Sequence, residues 1–236
     1  AIKLKFGIVV FPGTWSEKDT HYAVNGVLGQ DAEYIWHGDG QLDQYDAIVL
    51  PGGFSYGDFL RCGAIARFSP VMEAVREFAN RGGPVLGICN GFQVLCESGL
   101  LPGVLMRNDH LEFRCIWTDL KVENASTMFT SAAADGQTLH IPMSHGEGNY
   151  QADEATIEQL EGNGQVVFRY ADAAGNVTSE INPNGSINNI AGIVNDRGNV
   201  MGMMPHPEKA SEKLIGGDDG NIIFNSMIEN IVSSFA

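Results

Sequence analysis

The chain has 236 residues, 44% of them apolar, and a formal net charge of −15. That length suits one large α/β domain or two small ones, and the apolar fraction is enough for an ordinary core. The negative charge repels nucleic acid and anionic membrane surfaces, and no apolar run is long enough to span a bilayer.

In chain order, "KFGIVVF" (residues 5–11) reads as a buried strand. "SEKDTHYAVNGVLG" then carries a helical pattern, with Ser16 placed as its N-cap. "AEYIWH" and "DAIVLPGG" predict two further strands, the second running into a glycine-rich turn. "SPVMEAVREFANRGG" is the clearest helix: Ser69 caps it, Pro70 suits its first turn, and Gly82 ends it. Its apolar face is Val71, Val75, Phe78 and Ala79. "PVLGI" is the next strand, followed by a helix from Asn90 to Ser98 closed by Gly99. Beyond Arg114 the runs "RCIWTDLKVE", "TLHIPMSHGEG" and "QVVFRY" are separated by polar stretches and read as antiparallel or mixed additions. "GIVNDRGNVMGMMPHPE" predicts a hairpin turning near Asp196–Asn199. "DGNIIFNSMIENIVSSF" predicts a closing amphipathic helix capped by Asp219. The βαβ alternation implies a largely parallel central sheet covered on both faces. No linker or repeat divides residues 1–236, so one domain is expected, and its length favours a free-standing chain.

The four cysteines, Cys62, Cys89, Cys96 and Cys115, show neither paired spacing nor a metal pattern. With no signal peptide in view, a reducing, cytoplasmic compartment is expected. Three sequons, at Asn124, Asn176 and Asn184, read as chance matches in polar loops.

Ligands of open parallel sheets bind beyond the carboxyl ends of the strands. Three turns sit at such ends: Pro51–Asp58, Cys89, and His206. If their strands are neighbours, the turns share one crevice. "GICNG" around Cys89 has the form of a nucleophile elbow with sulfur in place of a serine oxygen. Gly87 and Gly91 leave room for the tight turn, and the following helix N-terminus favours a thiolate. A buried inert cysteine before a helix is the plainer reading of the same letters. The base has two candidates, His145 with Glu147 and His206 with Glu208, since residues two apart in extended chain share a side. Spacing leaves that choice open. The backbone of "PGGFSYGD" could supply an oxyanion donor alongside the Asn90 amide, although an ordinary glycine-rich loop fits as well. On these features alone, an enzyme acting on other esters, amides or aldehydes, or a regulatory subunit without turnover, also fits.

Together, "LPGGFSYGDFLRCGAIA", "GICNGFQVLCESGLLPG" and "MMPHPE" resemble the class I, triad-type glutamine amidotransferases. The long glycine-rich motif and "SHGEGNY" are similar to the branch of glutaminase subunits that serve phosphoribosylformylglycinamidine synthases. The resemblance runs from Phe6 to about Glu208. It implies a flavodoxin-like α/β fold, a mostly parallel central sheet with helices on both faces and additional antiparallel strands. It implies Cys89 as nucleophile, His206 as base and acid, Glu208 as the group orienting His206, Gly53 and Asn90 as oxyanion donors, and Gln93 as a glutamine contact. His145 and Glu147 become candidates for lining the site or signalling to the partner. The implied substrate is glutamine, and the implied partners are a large synthetase subunit and a small accessory subunit. No cofactor is expected in this chain; ATP and magnesium are expected on the synthetase. Lys209 stands where an arginine is common, and Ala171 to Asn189 matches no motif.

Overall fold

In the computed structural model, which describes residues 2–235, the first apolar runs form β1 (Lys5–Val10), β2 (Asp31–Trp36), β3 (Ala47–Leu50) and β4 (Val85–Ile88). β3 and β4 are buried at every position, which is why they read as continuous apolar runs. β5 (Val104–Met106) pairs with β8 (Asn149–Gln151) in a separate ribbon. β6 (Arg114–Val122), β7 (Thr138–His145), β9 (Val166–Ala171), β10 (Ile190–Val194) and β11 (Val200–Met203) join the first four in one sheet. The order is β2-β1-β3-β4-β11-β10-β9-β6-β7.

The first five strands are parallel in flavodoxin-like order, and β11 takes the fifth place. β11 arrives from an antiparallel hairpin with β10, turning at residues 195–199 as expected, with Gly198 at φ 77°. β10, β9, β6 and β7 then continue antiparallel. The antiparallel additions therefore enlarge the central sheet itself. Fully buried Phe6, Ile48, Leu86, Phe92 and Phe168 anchor the core, each worth about 1.5–3 kcal/mol relative to exposure.

The helices are α1 (Glu17–His21), α2 (Pro70–Asn80), α3 (Asn90–Glu97), α4 (Glu154–Gly162) and α5 (Asn221–Ser234). α1 runs into a wider π-helical segment, Tyr22–Val27. The three expected caps precede helices without capping them. Ser16 makes no side-chain cap bond, and Ser69 Oγ lies 2.9 Å from the Tyr56 hydroxyl. Asp219 Oδ2 accepts from the His140 amide at 2.7 Å, and α5 begins after Gly220. For Ser69 and Asp219, a tertiary partner takes the oxygen that local sequence offers to the helix. α4, which the sequence pattern did not announce, is capped by Asp153 accepting from Thr156 N at 2.8 Å. It buries only Ile157 and Leu160, too few to mark a periodic face.

Candidate active site

Adjacent parallel β3, β4 and β11 bring their three carboxyl-end turns together, so the crevice inferred from the sequence exists. Cys89 follows β4 with φ 52° and ψ −107°, a conformation costly for a residue with a Cβ. The surroundings hold it there: Cys89 N donates to Met203 O at 2.8 Å, and Gln93 N donates to Cys89 O at 3.1 Å. A Cβ on Gly91 would run into the Leu50 carbonyl oxygen, and one on Gly87 into Leu95 and the Gly91 backbone. The two glycines thus let α3 pack directly on the end of β3, beside the glycine-rich turn.

His206 is anchored by its amide donating to Pro142 O at 2.7 Å, and its ring is buried. Its Nδ1 lies 2.6 Å from Glu208 Oε1, while Nε2 is buried without a partner. A Cβ on Gly52 would lie 2.6 Å from His206 Cε1 and 3.4 Å from Cys89 Cβ. The imidazole and the nucleophile candidate therefore converge over a bare glycine, and both line a small cavity of about 40 Å³. The Cys89 thiol rests on the Ser144 carbonyl, with Sγ and O 3.5 Å apart. Burial alone would push the His206 imidazole down, but the Glu208 carboxylate and the Cys89 sulfur outweigh it and hold it above its ordinary range. The His206–Glu208 pair does not use extended chain. Pro207 opens a tight 3₁₀ turn, Pro207–Lys209, that folds the carboxylate back onto the ring.

The other pair separates. Glu147 turns to Arg107, with 3.6 Å between Oε1 and Nε, and its carbonyl accepts from Gln93 Nε2 at 2.6 Å. Gln93 Oε1 accepts from Asn90 Nδ2 at 3.0 Å, so Gln93 ties the elbow to the segment after β7. His145 is 3% exposed, and its Nε2 lies 3.0 Å from Asn184 Nδ2. Asn184 Oδ1 accepts from the Ser186 amide, which fixes the Asn184 amide orientation. His145 Nε2 is therefore the acceptor, and the ring proton sits on Nδ1, which has no partner. Asn184 lies in a loop as expected, but it is fully buried and serves this contact.

Burial, with His206 and His110 nearby, pushes His145 down to about 3. It stays neutral where a general base has to titrate. Between its ordinary value of 6.5 and about 3, the unfolded chain binds a proton that the folded chain refuses, so stability falls as pH drops through that window. We expect this single group to cost the wild type about 2 kcal/mol between pH 7 and pH 5. Urea melts at the two pH values should show that loss shrinking by a similar amount in His145→Gln. An equal loss in both proteins would refute the assignment.

Gly53 has φ 150°, and a Cβ there would meet the Trp15 amide nitrogen and sit 2.8 Å from Thr14 Cα. The loop after β1 presses this close because Trp15 N donates to Gly52 O at 3.1 Å and Phe54 N to Gly13 O at 2.8 Å. Ser55 N donates to Asn90 Oδ1 at 3.2 Å, joining the glycine-rich turn to the elbow. Among the described residues, the amides of Gly53 and Asn90 donate to no protein acceptor. Two free donors thus flank the nucleophile candidate, one of them at a helix N-terminus.

A larger cavity of about 300 Å³ opens beside Cys89, Gly53 and Gln93, a volume suited to a small ligand. Its wall includes Asp58 and Cys62, which the sequence reading placed at or near the glycine-rich turn without giving either side chain a role. They arrive there through a turn in which Tyr56 and Asp58 take positive φ, a placement with no local signature. Cys96 stays beside the core in α3, and Cys115 is exposed on β6.

The model of the CobB/CobQ-like glutamine amidotransferase domain matches residues 3–216. The chain is 58% identical over 226 residues to phosphoribosylformylglycinamidine synthase subunit PurQ of Moorella thermoacetica, covering 96% of each. It is 56% identical over 227 residues to the same-named subunit of Salinibacter ruber, covering 96% of this chain and 97% of the other. Among solved structures, it superposes with a TM-score of 0.87 and 41% identity on a chain of PurLQS from Thermotoga maritima, covering 98% of this chain and 100% of that one. A glutamine amidotransferase of Thermotoga maritima, 17% identical with a TM-score of 0.59 over 98% of this chain and 99% of that one, shares the fold. The chain belongs to the glutamine amidotransferase family, in the branch of the phosphoribosylformylglycinamidine synthase subunit PurQ.

Proposed function

We propose that Cys89, His206 and Glu208 form the catalytic triad of a glutaminase that feeds ammonia to the synthetase making formylglycinamidine ribonucleotide in purine biosynthesis. The observation that carries this reading is the orphaned His206 Nε2, fixed by Glu208 at 2.6 Å and converging on Cys89 over Gly52. His206 takes the thiol proton, and the sulfur attacks the side-chain amide carbon of glutamine. The developing oxyanion is received by the amides of Gly53 and Asn90. His206 returns the proton to the leaving nitrogen, releasing ammonia and leaving a γ-glutamyl thioester. Water deprotonated by His206 attacks the thioester, and glutamate departs with Cys89 restored as thiol. Two moderate barriers replace one high one. Gln93 holds the glutamine side of the cavity while tying Asn90 to Glu147.

Free ammonia protonates in water and loses its nucleophilicity, so it passes directly to the partner. That partner is a large synthetase subunit, joined by a small accessory subunit, in the cytoplasm. ATP and magnesium act there on formylglycinamide ribonucleotide. Mixing the chain with these subunits should release glutamate from glutamine, with faster release when ATP and the ribonucleotide are present. No glutamate under either condition would defeat the proposal.

A further inference from the structure

The 300 Å³ cavity carries an unbalanced negative wall beside the nucleophile. Asp58 and Glu147 line it beside Cys62, and among the described residues Arg107 is its one lysine or arginine. Arg107 is drawn to Glu147, 3.6 Å away. Asp58 is left without a cation, and its Oδ1 is buried with no hydrogen-bond partner. The burial of an unsatisfied carboxylate oxygen is costly. The backbone adds to that cost, since Asp58 has φ 56° and the nearby Leu60 φ 69°. A loop that holds a carboxylate so expensively, next to a reactive sulfur, is built for a cationic ligand group.

Glutamine carries such a group. Its α-ammonium hangs on a carbon three carbon–carbon bonds from the amide carbon that Cys89 attacks. It therefore belongs on the cavity wall, away from the sulfur. We propose that Asp58 binds the α-ammonium of glutamine and is the residue that selects an amino-acid amide over a plain carboxamide. The inference rests on the reading of this cavity as the glutamine site. It assigns Asp58 a substrate contact and leaves the triad chemistry unchanged. Burial pushes the Asp58 carboxyl up against an opposing hydrogen bond from Cys62, with the Glu147 carboxylate adding to the rise, and burial followed by Asp58 pushes the Cys62 thiol up. An ammonium beside Asp58 supplies the counter-charge that this carboxylate lacks among the described residues.

The test compares glutamine with glutaramate, the same side-chain amide without the α-amino group, in the assembled complex. Release of glutamate or glutarate gives kcat/KM for each. The wild type should prefer glutamine by about 10- to 100-fold, the range of a charge-assisted contact. Asp58→Asn should bring the two substrates within a few-fold of each other, with the loss on glutamine appearing mainly in KM. Asparagine accepts the left-handed backbone at this position. A misfolded fraction lowers both rates equally and leaves the ratio untouched. If Asp58→Asn keeps the wild-type ratio, Asp58 is only a loop acid and this inference falls while the glutaminase reading stands. If the wild type turns over neither amide, both fall.

Discussion

Cys89→Ala should abolish glutamine-driven amidine formation by the complex while leaving ammonia-driven synthesis intact. The glutamine-dependent rate should drop by at least about 10⁵-fold, as when the nucleophile of a covalent mechanism is removed. The expectation is sharp because the substitution is structurally mild. Alanine keeps the Cβ, so the strained φ of 52° at the elbow costs the same in both proteins. The lost thiol contact, to Ser144 O at 3.5 Å, is a weak one. Paired assays with glutamine and with ammonium salt separate the roles. Loss of both activities would make Cys89 a structural residue, and survival of the glutamine reaction would move the nucleophile elsewhere.

Glu208→Gln should lower glutamine turnover by about 10³- to 10⁴-fold, the scale seen when a triad loses the carboxylate that fixes its imidazole. Glu208 is 2% exposed and touches the ring at 2.6 Å. With an amide in its place, nothing compels Nδ1 to hold the proton, and Nε2 loses its hold on the proton of the thiol. The Coulombic support that keeps His206 protonatable inside the protein disappears as well. Glutamine has nearly the same shape, so the fold should survive; circular dichroism melts check this. A fall of less than tenfold in a folded variant would show that the pair is structural.

The two histidine pairs show how far residue order reaches. Both have the form His-x-Glu, and spacing alone could not choose between them. Family resemblance favoured His206; in space only its pair stays together, because Pro207 folds its glutamate back while Glu147 is drawn to Arg107. The elbow was legible because its constraint is local: Gly87 and Gly91 flank Cys89 so that a strand can meet a helix at one tight turn. The caps were misread because Ser69 and Asp219 are claimed by Tyr56 and His140, partners 13 and 79 residues away. The side-chain positions of Asp58, Cys62 and Asn184 were not legible, since they depend on which walls face each other.

By itself the sequence determined the parallel α/β core, the tight strand-to-helix turn at Cys89, the glycine-rich turn after β3 and a short choice of candidate bases, because hydrophobic period, glycine placement and helix polarity act over a few residues. Tertiary structure decided that β11 lies beside β4, that His145 is sealed as a neutral ring, and that Asp58 stands on the cavity wall without a counter-charge. Those outcomes follow from burial and from contacts between distant segments. Burial and electrostatic energies depend on what surrounds a group in space, and neighbours along the chain are only a fraction of that surrounding.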